Sequence, residues 1–258
     1  MYNISTLILN SIMFPLITLV GLIGYLYLRH KDWSVRRIPF VLITTLLVLA
    51  EGGKQVYELV SDQYNLFSLP FHICTIVIVG YVLVSFLSPN ARIAKVFWAM
   101  SITAGFVVAL GLIIAPNPII GWQSNNLLDG KATYIEWYSV IAHYIFVLLF
   151  VLTLTMKMYS IRLTDIFVSC AIWIGSLVVI LVAANTLGIN YANFLDFKLP
   201  LLSVQELGLP LFQAILFVAY VVVYLATALI LYLLYRLTQE PHNQEINNLQ
   251  WYSGQLRQ

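Results

Sequence analysis

The chain is built from long apolar runs separated by short polar breaks. Seven runs approach or exceed the ~20 mostly apolar residues that a helix needs to cross a hydrocarbon core about 30 Å thick. They cover residues 4–28, 38–60, 69–87, 96–115, 132–156, 166–184 and 209–234. Inside them the apolar positions are continuous or helical in period, without the two-residue alternation of barrel strands. This pattern predicts an all-α integral membrane bundle of about seven transmembrane helices. It assigns residues 1–235 to one membrane domain and 236–258 to a polar cytoplasmic tail. The first run lacks a basic leader and is followed by charged residues, so it reads as a span and not as a cleavable signal. No internal repeat or low-complexity tract interrupts the series.

Composition sharpens this reading. Charged side chains make up 9% of the 258 residues, against about 25% in soluble domains. Apolar residues reach 61%, and the mean hydropathy is +0.89. So few charges cannot cover a soluble surface for so much apolar mass. A net charge of +2 gives no basic surface for nucleic acid, and two cysteines give no disulfide framework.

The basic residues set an orientation. If the N-terminus is extracellular, the cytoplasmic pieces contain Arg29, Lys31, Arg36, Arg37, Arg92, Lys95, Lys157, Arg162, Arg236 and Arg257. The extracellular pieces contain only Lys131 and Lys198, while Lys54 lies within a run. Such a bias predicts a multi-pass cell-membrane protein with its N-terminus outside and its C-terminus in the cytoplasm.

Ionisable groups inside spans are costly and mark functional sites by default. The second run carries Glu51, Lys54 and Glu58 at i, i+3 and i+7, one helix face on which Lys54 can pair with either carboxylate. Gly52 and Gly53 beside them permit close helix contact. The third run opens with His72 and Cys74, and the fifth carries Glu136, Trp137, Tyr138, Ser139 and His143. At about 1.5 Å per residue, Cys74 lies about 8 Å and His143 about 16 Å deep from the outer side. All of these groups fall in the outer half, whereas the inner half offers little beyond Thr44, Thr45, Ser101 and Thr103. The pattern implies a polar pocket open toward the outer leaflet or the extracellular face.

A thiol becomes a useful nucleophile beside a base. His72 and Cys74 are two residues apart, roughly 200° around a helix, so the base for Cys74 is better sought in His143. Plainer roles compete with this one. A membrane cysteine is commonly a small hydrophobe, which is how Cys170 reads, and a buried histidine is commonly a structural donor. Tyr25, Tyr27, Trp33, Trp122, Tyr134, Trp137 and Tyr138 read mostly as an interfacial belt. Pro116, Pro118 and Gly121 read as loop punctuation. His30 and His242 fall in cytoplasmic segments and suggest no function.

Several elements together resemble the YwaF family of bacterial membrane proteins. Ser68-Leu69-Pro70-Phe71-His72-Ile73-Cys74 is similar to the family's LPxHxC element at the start of a span. Phe97-Trp98-Ala99-Met100, Tyr134 to His143, Gly188-Ile189-Asn190-Tyr191 and Gly208-Leu209-Pro210 resemble further elements in the same order, over about residues 38–235. Leu211 and Phe212 stand where the family usually carries tryptophan. A eukaryotic branch of the family moves acyl chains between phospholipids, with a cysteine of the matching element as nucleophile. More distant relatives hydrolyse lipids. The resemblance therefore implies lipid acyl chemistry at Cys74.

On this reading Cys74 attacks, His143 is base and later acid, and His72, Asn190 or Tyr191 donates to the oxyanion. Glu51, Lys54, Asn190, Tyr191 and Glu136 would bind substrate. The partners would be membrane lipids, with a lysolipid or acyl lipid as substrate. The alternative is a transporter or lipid-binding protein with Glu51, Lys54 and Glu58 as its path and no covalent chemistry. No nucleotide, dinucleotide, zinc or heme motif is present in the sequence, so no cofactor is implied.

Overall fold

The structure is a computed structural model. It describes residues 4–28, 30–62, 64, 66, 69, 72–88, 91–114, 116–156, 159, 161–195 and 204–237. Its helices are α1 (Ile4–Leu28), α2 (Trp33–Val60), α3 (Ile73–Phe86), α4 (Arg92–Ile114), α5 (Asn117–Leu128), α6 (Tyr134–Met156), α7 (Leu163–Leu187), α8 (Val204–Leu207) and α9 (Leu209–Leu237). A 3-10 turn, Tyr191–Asn193, follows α7. Among the described residues there is no strand, and the protein is an all-α membrane bundle.

Among the described residues six helices, α1, α2, α4, α6, α7 and α9, are long and apolar enough to cross a membrane. The seventh expected span is shorter. Helix α3 has 14 residues, about 21 Å, against the 69–87 read from hydropathy. Hydropathy alone carries no stop at Pro70, yet a proline disfavours helical geometry in the residue before it. His72 is extended and caps the helix N-terminus from outside. The stretch read as a loop at Pro116, Pro118 and Gly121 is instead helix α5. Pro118 lies in its first turn, where a missing N–H costs nothing.

Burial identifies the centre. In α4 and α6, 56% of the best apolar window is buried inside the protein, against 17% in α1 and α2. Helix α4 packs against α3, α6, α7 and α9, while α6 receives α1, α2 and α5. In lipid no hydrophobic gain separates helix–helix from helix–tail contact, so close packing and internal hydrogen bonds hold such a bundle. The Asn10 amide donates to the Leu112 carbonyl at 2.7 Å, and the Tyr144 hydroxyl donates to Asn10 Oδ1 at 2.7 Å. That chain of bonds joins α1, α4 and α6.

The opposite end is clamped by two arginines. Arg36 donates to the Met156 carbonyl at 2.8 Å and Arg37 to the Ser85 carbonyl at 2.5 Å. The last carbonyls of a helix have no partner within it, so the first turn of α2 satisfies the ends of α6 and α3. Thr44 and Ser85 hydroxyls meet at 3.0 Å above this clamp. Helix α2 is thereby held by its inward stripe, which runs Phe40, Thr44, Leu47, Glu51, Lys54 with Gln55, and Glu58. The lower part of that stripe is mostly apolar and the upper part is charged.

Candidate functional site

Cys74 is the second residue of α3 and His143 the tenth of α6. They nevertheless meet: Cys74 Sγ lies 3.4 Å from His143 Nε2. The two depths read from sequence, 8 Å and 16 Å, therefore collapse to one level. The cause is the late start of α3. Its N-terminus is recessed about 12 Å below the first residue of α6, so the extended backbone at His72 lies within the depth of the bundle. Such backbone is tolerated where protein covers it. The cover comes from the segment after α7. Tyr191 is buried, its ring packs edge-on against His72 at 5.2 Å, and its hydroxyl donates to the Leu66 carbonyl.

The local order of α6 orients the imidazole. Ser139 is one turn before His143, and its carbonyl oxygen lies 2.6 Å from His143 Nδ1. A carbonyl only accepts, so Nδ1 carries the proton. In the neutral ring Nε2 then presents its lone pair to the Cys74 thiol, which donates to it. The start of α3 adds a second element. His72 makes no side-chain cap to this helix, and Cys74 sits among the N–H groups of the first turn, where negative charge is favoured.

Helix α2 supplies the charged side of the site. Lys54 Nζ lies 3.1 Å from Glu51 Oε1, and Gln55 donates to the same oxygen at 2.9 Å. Tyr138 on α6 is an electrostatic neighbour of Glu51, and its ring lies 5.4 Å from Lys54 Nζ. Glu51 is an electrostatic neighbour of Cys74. The close approach of α2 and α6 depends on Gly53, where an added Cβ would fall 2.8 Å from the Tyr134 hydroxyl. Gly52, read as a second contact glycine, faces open space. Beside Gly53 a shallow apolar groove of about 440 Å³ runs along Val56, Tyr57, Val60 and Tyr134.

The remaining sequence candidates divide differently. His72 and Tyr191 sit over the start of α3, and Asn190 accepts a bond from the Leu195 N–H at 2.9 Å, which folds that covering segment. Glu136 is buried away from this cluster. It accepts from Asn126 at 2.5 Å and from the Thr133 N–H and hydroxyl at 2.7 and 3.0 Å. Those bonds cap α6 and tie it to α5. Cys170 is buried on α7. Pro70, Phe71 and the tail from 238 lie outside the described residues, as does the Trp122 side chain.

Sequence reasoning passed over three useful groups. Tyr138 read as belt, although its ring faces Lys54. Ser139 had no role, although its i−4 position to His143 was legible. Asn10 and Tyr144 went unremarked, although an amide in an otherwise apolar run asks for a partner. No family model, no curated protein and no solved structure matches this chain.

Proposed function

We propose that the protein transfers or hydrolyses acyl chains of membrane lipids, with Cys74 as nucleophile and His143 as base. One observation carries the reading: a thiol 3.4 Å from an imidazole nitrogen whose partner nitrogen is tied to the Ser139 carbonyl. The resemblance of residues 68–74 to the YwaF element supports the same assignment.

In the first half-reaction the Cys74 proton passes to His143 Nε2, and the sulfur attacks the carbonyl carbon of a lipid ester. The tetrahedral oxyanion is favoured by the N–H groups opening α3. The carbon–oxygen bond then breaks, the leaving lysolipid oxygen takes the proton from His143, and the acyl chain remains as a thioester. In the second, His143 takes a proton from an acceptor hydroxyl, whose oxygen attacks the thioester. The carbon–sulfur bond breaks and the thiol regains its proton. A lysolipid acceptor gives transfer and water gives hydrolysis.

A transport path through Glu51, Lys54 and Glu58 has less support. Below Glu51 the same stripe of α2 continues as Leu47, Thr44 and Phe40, all buried. Lipid mass spectrometry of purified protein with mixed phospholipids and lysolipids tests the proposal. New acyl combinations or free fatty acid should appear with wild type and vanish with Cys74→Ala. Full turnover by Cys74→Ala would sink the thioester mechanism.

A further inference from the structure

Glu58 stands out from its neighbours. It lies on the inward stripe of α2, is only 7% exposed, and its Oε2 has no hydrogen-bond partner. A buried acceptor without a donor is costly. Lys54, one turn below it, is engaged with Glu51 at 3.1 Å. An ammonium has three donors, so Lys54 keeps hydrogen-bonding capacity toward a further acceptor. The stripe thus presents, in order, a carboxylate with an unpaired buried oxygen, an ammonium, and then Glu51, an electrostatic neighbour of Cys74.

We propose that this face of α2 reads a phospholipid headgroup bearing a primary ammonium, with Glu58 taking the ammonium and Lys54 the phosphate. The spacing fits the order of the ligand. Glu58 lies about 6 Å beyond Lys54 along the axis, and Lys54 about 4.5 Å beyond Glu51, the electrostatic neighbour of Cys74. A glycerophospholipid runs in the same sequence: amine, phosphate, then the glycerol ester that would react. Its charges are opposite to those of the helix at each step. A primary ammonium is specified because Glu58 Oε2 needs a hydrogen donor, which a quaternary headgroup lacks. The inference rests on the reading that a lipid ester reacts at Cys74.

The test uses the full-length Cys74→Ala protein, so that binding is read without turnover. Native mass spectrometry from nanodiscs compares phosphatidylethanolamine, its mono-, di- and trimethylated forms, and phosphatidylglycerol, all with the same acyl chains. Retention should be highest for phosphatidylethanolamine and fall as N–H groups are lost. Adding Glu58→Gln should cut that retention about tenfold or more, the scale of one charged hydrogen bond. Glu58→Asp should keep part of the preference. Lys54→Met with Glu51→Gln should weaken all five lipids together.

Equal retention across the methylation series, or a preference unchanged by Glu58→Gln, overturns the assignment. The series itself needs no change at Glu58 and so reads the contact whatever that variant does to folding. Turnover is measured separately on wild type. Lack of turnover beside an intact, Glu58-dependent preference would remove the catalytic reading and leave the headgroup site standing.

Discussion

His143 Nε2 faces the sulfur of Cys74 at 3.4 Å, while its other ring nitrogen is held by a carbonyl of its own helix. This pairing joins the second residue of one helix to the tenth of another, and it makes the two cysteines of the chain unequal. Cys74 is partly buried beside a base, whereas Cys170 is buried within the packed bundle. A small, membrane-permeable alkylating reagent at neutral pH should modify Cys74 at least about tenfold faster than Cys170. His143→Ala should remove most of that difference. Mass spectrometry of digests over a time course gives both rates, and equal rates in wild type would refute the pairing.

Lys54 has one ion-pair partner among the described residues, Glu51, and not Glu58, which lies four residues further along the helix. Their side chains are 15% and 20% exposed, so breaking the pair leaves a poorly solvated charge. Lys54→Met should destabilise the protein by about 2–3 kcal/mol, at or below the low end for fully buried pairs. Glu51→Gln should restore much of that loss and Glu58→Gln should not. Denaturant titration in micelles, arranged as two double-mutant cycles, separates the partners.

Glu136 holds α5 to the start of α6 through one hydrogen bond accepted from Asn126 and caps α6 through two accepted from Thr133. Glu136→Ala should cost about 1–3 kcal/mol, because Asn126 and Thr133 lose their acceptor. The Cys74 alkylation rate should stay within about twofold of wild type, since this carboxylate is not part of the Cys74–His143 pair. A large fall in that rate with unchanged stability would return Glu136 to the reacting group.

Asn10 links α1 to α4 and α6. Tyr144→Phe removes the donor to Asn10 Oδ1 and should cost about 0.6–1.7 kcal/mol, the measured scale of such bonds within membranes. Asn10→Ala breaks both links and should cost more. Thermal unfolding in detergent ranks the two variants, and an Asn10→Ala protein as stable as wild type would show that α1 docks by packing alone.

The distribution of Lys and Arg predicts the N-terminus outside and the tail inside. Single cysteines at Ser5 and Ser253, in a chain without Cys74 and Cys170, should label oppositely with an impermeant reagent on intact cells. Labelling at 253 alone reverses the topology.

What the amino-acid sequence determined by itself was everything that depends on local composition. A run such as 209–234 must be a helix if it is to satisfy its backbone in lipid, whatever surrounds it. The same logic placed the spans, excluded a soluble fold and singled out the polar side chains that lipid would reject. The outcome at α3 lay beyond that logic. Apolar residues from 69 onward look alike whether they open a helix or descend beside one. Where α3 begins, after Pro70 and with His72 packed against Tyr191, is not readable from hydropathy. That start brought Cys74 level with His143. Partner choice was equally non-local. Lys54 can reach Glu51 or Glu58 by helical spacing alone, and Tyr138 on α6, beside Glu51 and Lys54, accompanies the choice of Glu51. Glu136 reads as a pocket acid in one dimension and becomes a cap only when α5 folds against it. Spacing along one helix is set by the chain, but distances between helices are set by which faces pack, and the candidate site is made of those distances.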